Sequence, residues 1–333
     1  MLSYIVAGQL RRDYILPVTG KPCLDVPGGS LLYAAVGIAV WDKNIGLVAR
    51  VGEDFPQKWL EDCGRRGFDR RGIRVLPTSL DLRRFIAFPT NGVRQSDGPV
   101  AHFASRGLPF PQELLDYTAP APGLDSRTRL TDLSIRSSDL PPDYLDAACA
   151  HLCPLDYLTH SMLPSALRQG HATTITLDPS PGYMDPTFWD DIPAIVTGLT
   201  AFLTSEEKLR NLFQGRSDDL WEMAETIAGY GCELVVVKRG ESGQYLYNHA
   251  NHTRWSIPAY PARVVDPTGA GDAFCGGFLA GYHLTFEPLE AALYGNISAS
   301  LVIEDSGAFY AMDSLPGLAQ ARLTALREMA QPA

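Results

Sequence analysis

Apolar residues along this chain gather in short runs separated by longer stretches of mixed, amphipathic character, a pattern that predicts strands alternating with helices. Strands are expected at Ser3 to Gly8, Ile45 to Val51, Ala148 to Leu152, Thr174 to Leu177, Ala201 to Leu203 and Leu234 to Val237. Helices are expected at Leu31 to Trp41, Pro56 to Arg66, Pro164 to Gln169, Ser205 to Phe213, Asp218 to Tyr230 and Ala273 to Tyr282. Such alternation predicts an α/β fold: a doubly wound, mostly parallel sheet with helices on both faces, binding ligands beyond the carboxyl ends of its strands. Two stretches break it. Arg11 to Pro27 and about Leu80 to Arg106 read as short strands and turns outside the main sheet, and Pro109 to Pro142 as a surface excursion. With no internal repeat, residues 1–333 are expected to form a single domain.

One segment carries chemistry. Val264-Val265 leads through Asp266-Pro267-Thr268-Gly269-Ala270-Gly271-Asp272 into the helical pattern Ala273-Phe274-Cys275-Gly276-Gly277-Phe278. Gly269 and Gly271 permit backbone conformations that side chains forbid, and the first N–H groups of the helix point into the turn without intrahelical partners. With the helix dipole added, the turn suits a phosphoryl group, and Asp272 could take a proton from an attacking hydroxyl. The plainer alternative makes Asp272 only an N-cap and the glycines only a tight turn. A simple cap does not call for two carboxylates, Asp266 and Asp272, bracketing small residues.

Other chemistries fit less well. The dinucleotide fingerprint needs glycine where Phe274 stands and belongs to the first strand and turn of its fold. A Walker A loop fails because Gly20-Lys21 runs into Pro22, and neither HExxH nor GxSxG occurs. Composition narrows the field further. An apolar share of 45% supports a real core, and a net charge of −10 argues against a nucleic-acid or anionic-membrane surface protein. The basic pairs Arg65-Arg66, Arg70-Arg71 and Arg83-Arg84 read as solvated faces. No stretch is long enough for a membrane span and no signal peptide is visible, so a cytoplasmic location is expected. The six cysteines are dispersed, and Cys149, His151, Cys153 and His160 lack zinc-finger spacing.

The segment from Asp266 to Asp272 with its following helix resembles the C-terminal signature of the ribokinase-like (PfkB) carbohydrate and nucleoside kinases. The resemblance continues in order along the chain through Tyr4 to Gly8, Asp13, Gly28-Gly29, Gly46 to Asp54, Val235 to Gly243, Asn296 and Gly307-Ala308. It implies a ribokinase-like fold with ATP and Mg2+ as cofactors. Asp272 would be the catalytic base and the N–H groups of Gly269, Ala270 and Gly271 the anion hole. Asp13, Gly28, Gly29 and Tyr33 would face the acceptor, and Lys238, Gly240, Gly243 and Asn296 the nucleotide. A monovalent-cation (K+) site is implied at Asp266 and Thr268, completed near Gly307. Segments 11–27 and 80–106 would form a small β lid that excludes water and often pairs with a second subunit, which makes a homodimer an expectation.

Two departures from the family pattern matter. Tyr33 replaces the usual asparagine, which opens the choice between ring stacking on a bulky acceptor and a core aromatic. The Asn-x-x-Glu motif that organises magnesium is degraded, with Thr204 and Glu207 at its ends in one register and Ser205 and Lys208 in the other. Glu207 is the expected metal-site residue, because a lysine would repel the ion; ordinary first-turn acids are the alternative. The expected function is transfer of the γ-phosphoryl group of ATP to a hydroxyl of a sugar or nucleoside, with no nucleic acid or membrane partner. A catalytically weak nucleotide- or metabolite-binding regulator is the second hypothesis, and a dinucleotide oxidoreductase the third.

Overall fold

A computed structural model describes residues 2–89, 93–120, 123–329 and 331–332, so positions 90–92 of the expected lid lie outside the described residues. The chain opens with β1 (Tyr4–Ala7), then β2 (Arg11–Leu16) and β3 (Cys23–Gly28), which leave the main sheet, and α1 (Ser30–Ala39). There follow β4 (Ile45–Gly52), α2 (Gln57–Arg65), β5 (Asp69–Leu76), β6 (Arg83–Ala87) and α3 (Pro99–Ser105). After a long irregular stretch come β7 (Cys149–Leu152), α4 (Tyr157–Gln169), β8 (Thr174–Leu177), α5 (Ile192–Val196), β9 (Ala201–Ser205), α6 (Glu206–Leu212) and α7 (Leu220–Gly229). The C-terminal part holds β10 (Leu234–Lys238), β11 (Gln244–Asn248), β12 (Thr253–Ile257), α8 (Ala270–Thr285), α9 (Pro288–Val302), α10 (Leu318–Arg327) and β13 (Gln331–Pro332).

The main sheet runs β13-β12-β11-β10-β9-β8-β7-β1-β4-β5. From β5 to β10 all pairings are parallel, and β11 to β13 close the far edge antiparallel. Central strands β1, β4, β7 and β8 are buried at every residue, as a parallel sheet covered on both faces requires. Alternation then divides the core. Tyr4, Val6, Leu234 and Val236 face the layer of α1, α8 and α9, while Ile5, Ala7, Val235 and Val237 face the layer of α4 to α7. The order reverses between β1 and β7, which is where a crevice opens at the carboxyl ends of the strands.

A separate sheet, β3-β2-β6, covers that crevice. Tyr14, Leu16, Phe85 and Ala87 pack with Phe103 and Leu114 on one of its faces, so the other face is free to carry polar residues.

Several details depart from the expectations. Helix α4 begins seven residues before Pro164, because the Asp156 carboxylate caps it at the Thr159 N–H and the proline is carried inside. Arg70 and Arg71 lie on β5, the edge strand, where charges discourage further strand pairing. The stretch from Pro109 to Pro142 is more than a surface excursion: Asp139 forms a two-point ion pair with buried Arg50, at 2.6 and 3.0 Å. His151 and His160 hydrogen-bond Thr176 and Tyr183 inside the core.

Candidate active site

The turn into α8 is built as its residues dictate. Gly269 adopts φ 78°, a left-handed conformation suited to glycine, and hands the chain to a helix whose first turn carries Asp272. A Cβ on Gly269 would sit 2.1 Å from the Tyr33 ring. Tyr33 is therefore a floor under the anion turn: it is 1% exposed, and its ring face is spent on Gly269 rather than open to a ligand. Close packing fixes the helix from both sides, since a Cβ on Gly276 would meet the Ala34 carbonyl oxygen at 1.9 Å and one on Gly277 the Ser298 hydroxyl at 2.3 Å.

Asp272 is half-buried and lies within electrostatic reach of four charged side chains. Burial and the negative charge of Asp178 push its carboxyl up to about 6, against the pull of Lys238, Arg84 and Lys208. A carboxylate held near neutrality is matched to general-base work.

Asp178 follows the last residue of β8 and is 3% exposed. Both Lys208 of α6 and Lys238 at the end of β10 form ion pairs with it, the second at 2.6 Å. Lys238 also reaches the Cys275 thiol at 3.1 Å and the Gly271 carbonyl at 3.4 Å. Burial alone would raise Asp178, but the two lysines outweigh it and hold the carboxyl down at about 2. Two cations on one carboxylate leave a net positive charge beside the anion turn.

On the lid side Asp13 is fully buried and pairs with Arg84 of the neighbouring strand through two bonds, at 2.8 and 2.6 Å. A Cβ on Gly28 would fall 1.8 Å from the Asp13 carboxylate, so only glycine makes room for it there. Gly29, at φ 100°, N-caps α1. Arg84 is not part of a solvated face: neighbours in a strand point to opposite sides, so Arg83 turns outward to Asp81 while Arg84 turns inward.

The remaining candidates separate into two groups. Asp266 is 1% exposed, with Oδ1 accepting the Thr268 N–H at 3.0 Å. Its Oδ2, the Thr268 hydroxyl and the Ser306 hydroxyl are buried oxygens without hydrogen-bond partners, next to Gly307 at φ 101°. Burial raises the Asp266 carboxyl, and the Thr268 and Ser306 groups act against that. Asn296 is committed within the fold: its amide donates to Pro258 O at 2.7 Å and Gln244 Oε1 at 3.2 Å, and accepts from the Tyr260 N–H. Gly240 and Gly243, at φ 57° and 79°, shape the turn between β10 and β11. Glu207 stands apart. It is exposed on α6 beside Met184, Asn211 and Gln214, while Lys208, one residue on, is the side chain that turns into the site.

Arg84, Asp178 and Lys208 thus belong to the site without having been expected there. For Asp178 a signal existed: an aspartate just past a buried parallel strand sits where such sheets bind ligands. Among the described residues no group of three His, Cys, Asp or Glu side chains could hold a metal ion, and no helix is long and apolar enough to cross a membrane.

Comparison with known proteins agrees with the fold. Residues 155–315 match the family model described as pfkB family carbohydrate kinase. A cytidine kinase from Thermococcus kodakarensis is 28% identical over 284 residues, spanning 85% of this chain and 89% of that protein. A 5-dehydro-2-deoxygluconokinase from Geobacillus kaustophilus is 24% identical over 340 residues, spanning 96% and 92%. Among solved structures, a putative ribokinase II from E. coli in complex with ATP and Mg+2 superposes with a TM-score of 0.71 at 18% identity, over 98% of this chain and 100% of that one. Motif order, fold and matches agree: residues 155–315 form a PfkB carbohydrate-kinase domain match, and the chain has the fold of the ribokinase-family kinases, phosphotransferases with an alcohol group as acceptor.

Proposed function

We propose that this protein transfers the γ-phosphoryl group of ATP to a hydroxyl of a sugar- or nucleoside-like molecule bound between the lid and the turn at Gly269 to Gly271. The observation that carries the reading is Asp272 itself: a carboxylate in the first turn of α8, raised to about 6 by burial and Asp178, beside an anion turn and two lysines. In the transfer, Asp272 takes the acceptor hydroxyl proton as that oxygen bonds to the γ-phosphorus, and the bridging oxygen departs with ADP. The Gly269 and Gly271 N–H groups meet charge on the equatorial oxygens, joined by the Ala270 N–H if it exchanges the Pro267 carbonyl it donates to at 3.3 Å, while Lys208 and Lys238 add positive charge at the same end. The Asp13 carboxylate, fixed by Arg84, and the Gly28-Gly29 backbone orient the acceptor.

Nucleotide binding is supported by the named relatives and by the ribokinase II complex with ATP and Mg+2. Lys238 and the turn through Gly240 and Gly243 would flank the nucleotide, with Asn296 bracing the backbone behind them. Magnesium would screen phosphate charge when bound. The residues present offer it few ligands, since Glu207 is exposed and Asp178 is engaged by lysines, so the phosphates themselves would hold it. A monovalent cation fits better: Asp266 Oδ2, Thr268 Oγ1 and Ser306 Oγ are buried, unpartnered oxygens in one place. It would brace the base of the anion turn with positive charge.

Release of ADP, measured across neutral sugars, sugar acids, sugar phosphates and nucleosides with and without potassium, tests the reading. Acceptor-dependent ADP release is expected; ligand binding without ADP release from any acceptor would favour the regulator instead.

A further inference from the structure

The lid face that looks into the crevice holds more positive charge than its own carboxylate can balance. Arg11 and Asp13 are two residues apart on β2 and share a face, and Asp13 pairs in register with Arg84 on β6. Just beyond β6, Ala87 and Gln95 form a two-way backbone bridge, with Ala87 on the apolar face of the lid. Arg94, one residue before Gln95, therefore falls on the opposite face, with Arg84 and Asp13.

Three guanidiniums thus meet one buried carboxylate, and Arg84 takes both oxygens of that carboxylate. Among the described residues the Arg11 guanidinium bonds to the Gln9 side-chain oxygen and to no carboxylate, and Arg94, which is exposed, has no carboxylate partner. Burial and repulsion from Arg84 push the Arg11 guanidinium below its ordinary value, and Arg94, though exposed, feels the same repulsion from Arg84. Asp13 attracts both arginines, Asp81 (already paired with Arg83) also attracts Arg11, and Asp272 attracts Arg94, so Arg94 and the Asp272 carboxylate face one space.

Something anionic completes this face. The nucleotide phosphates are not its natural occupant, because they have Lys208, Lys238 and the α8 turn on the main-sheet side. A neutral polyol would leave two guanidiniums unmatched, whereas a carboxylate or phosphate accepts the planar donor fork of arginine bidentately.

We propose that the acceptor of this kinase carries its own anionic oxygen group, a carboxylate or a phosphate monoester, held by Arg11 and Arg94 on the lid face beside the Asp13–Arg84 pair. The inference rests on the kinase reading for the identity of the bound molecule, but the anion site can be tested without turnover.

Binding calorimetry of the full chain with D-glucose, D-gluconate and D-glucose 6-phosphate provides that test. Both anionic sugars, or one of them, should bind more tightly than D-glucose by about tenfold or more, and the stronger of the two identifies the source of the charge. R11Q and R94Q should each weaken that binding about tenfold, while affinity for the ATP analogue AMP-PNP with magnesium stays within about twofold. Equal binding of D-glucose, no binding of either anion, or anion binding unmoved by both substitutions would overturn the proposal. Arginine-dependent anion binding in a protein that releases no ADP would instead overturn the kinase reading and leave the anion site standing.

Discussion

On the main-sheet wall of the crevice Asp178 lies between Lys208 and Lys238, and all three are drawn into one buried cluster beside the anion turn. On the lid wall Asp13 and Arg84 form an equally close pair, yet Arg11 and Arg94 have no carboxylate partner among the described residues. The first wall is tied together across three elements, β8, α6 and β10, so its charges help hold the sheet and helices in register. The second spans β2, β6 and the bridge at Gln95, and among the described residues its surplus charge has no carboxylate partner. Charge that a fold does not use internally is charge available to a ligand. On the proposed reading the phosphate side would be preorganised by the fold, and the acceptor side would be where specificity is written.

The largest effect expected separates chemistry from both walls. Asp272→Asn should lower kcat by roughly 10²–10⁴-fold and leave AMP-PNP affinity close to that of the native protein, as steady-state kinetics and calorimetry would show. Loss of nucleotide binding together with turnover would mean that Asp272 acts as a structural cap.

Within the lid wall the paired and unpaired arginines should behave differently. Arg84→Met leaves the fully buried Asp13 carboxylate uncompensated and should reduce unfolding stability in urea by about 3–5 kcal/mol. R11Q and R94Q should stay within about 0.5 kcal/mol of the native protein. If all three cost the same, the distinction between structural and ligand-facing charge fails.

The main-sheet wall should respond in pH as well as in nucleotide binding. Asp178 raises Asp272 and Lys238 lowers it, so Asp178→Asn should move the acid limb of kcat/KM to lower pH and Lys238→Met to higher pH. The smallest effect concerns the buried oxygens at Asp266, Thr268 and Ser306. Potassium should raise the rate of ADP release over tetramethylammonium, and Ser306→Ala should reduce that stimulation.

These walls were unequally legible in the sequence. The strand-turn-helix at Asp266 to Asp272 announces itself because every link in it is local: the glycines, the helix start and the carboxylate lie within seven residues. The parallel sheet was equally visible from its apolar runs. Lys208 alone reads as a charge that repels a metal; Asp178, thirty residues earlier, turns that lysine into one arm of an ion-pair cluster. Arg84 was hidden inside a basic dipeptide that strand alternation splits between two faces, and Tyr33 became a floor under Gly269 through a contact no periodicity encodes. Contacts between residues far apart in the chain decided each case.

The pH dependence of kcat/KM for acceptor-dependent ADP release tests the central claim most directly. A base must be ionised to accept a proton, so with Asp272 raised to about 6 activity should fall as pH drops through that value and level off above it. A profile that stays flat through pH 6, or ADP release that does not depend on any acceptor, would contradict the account.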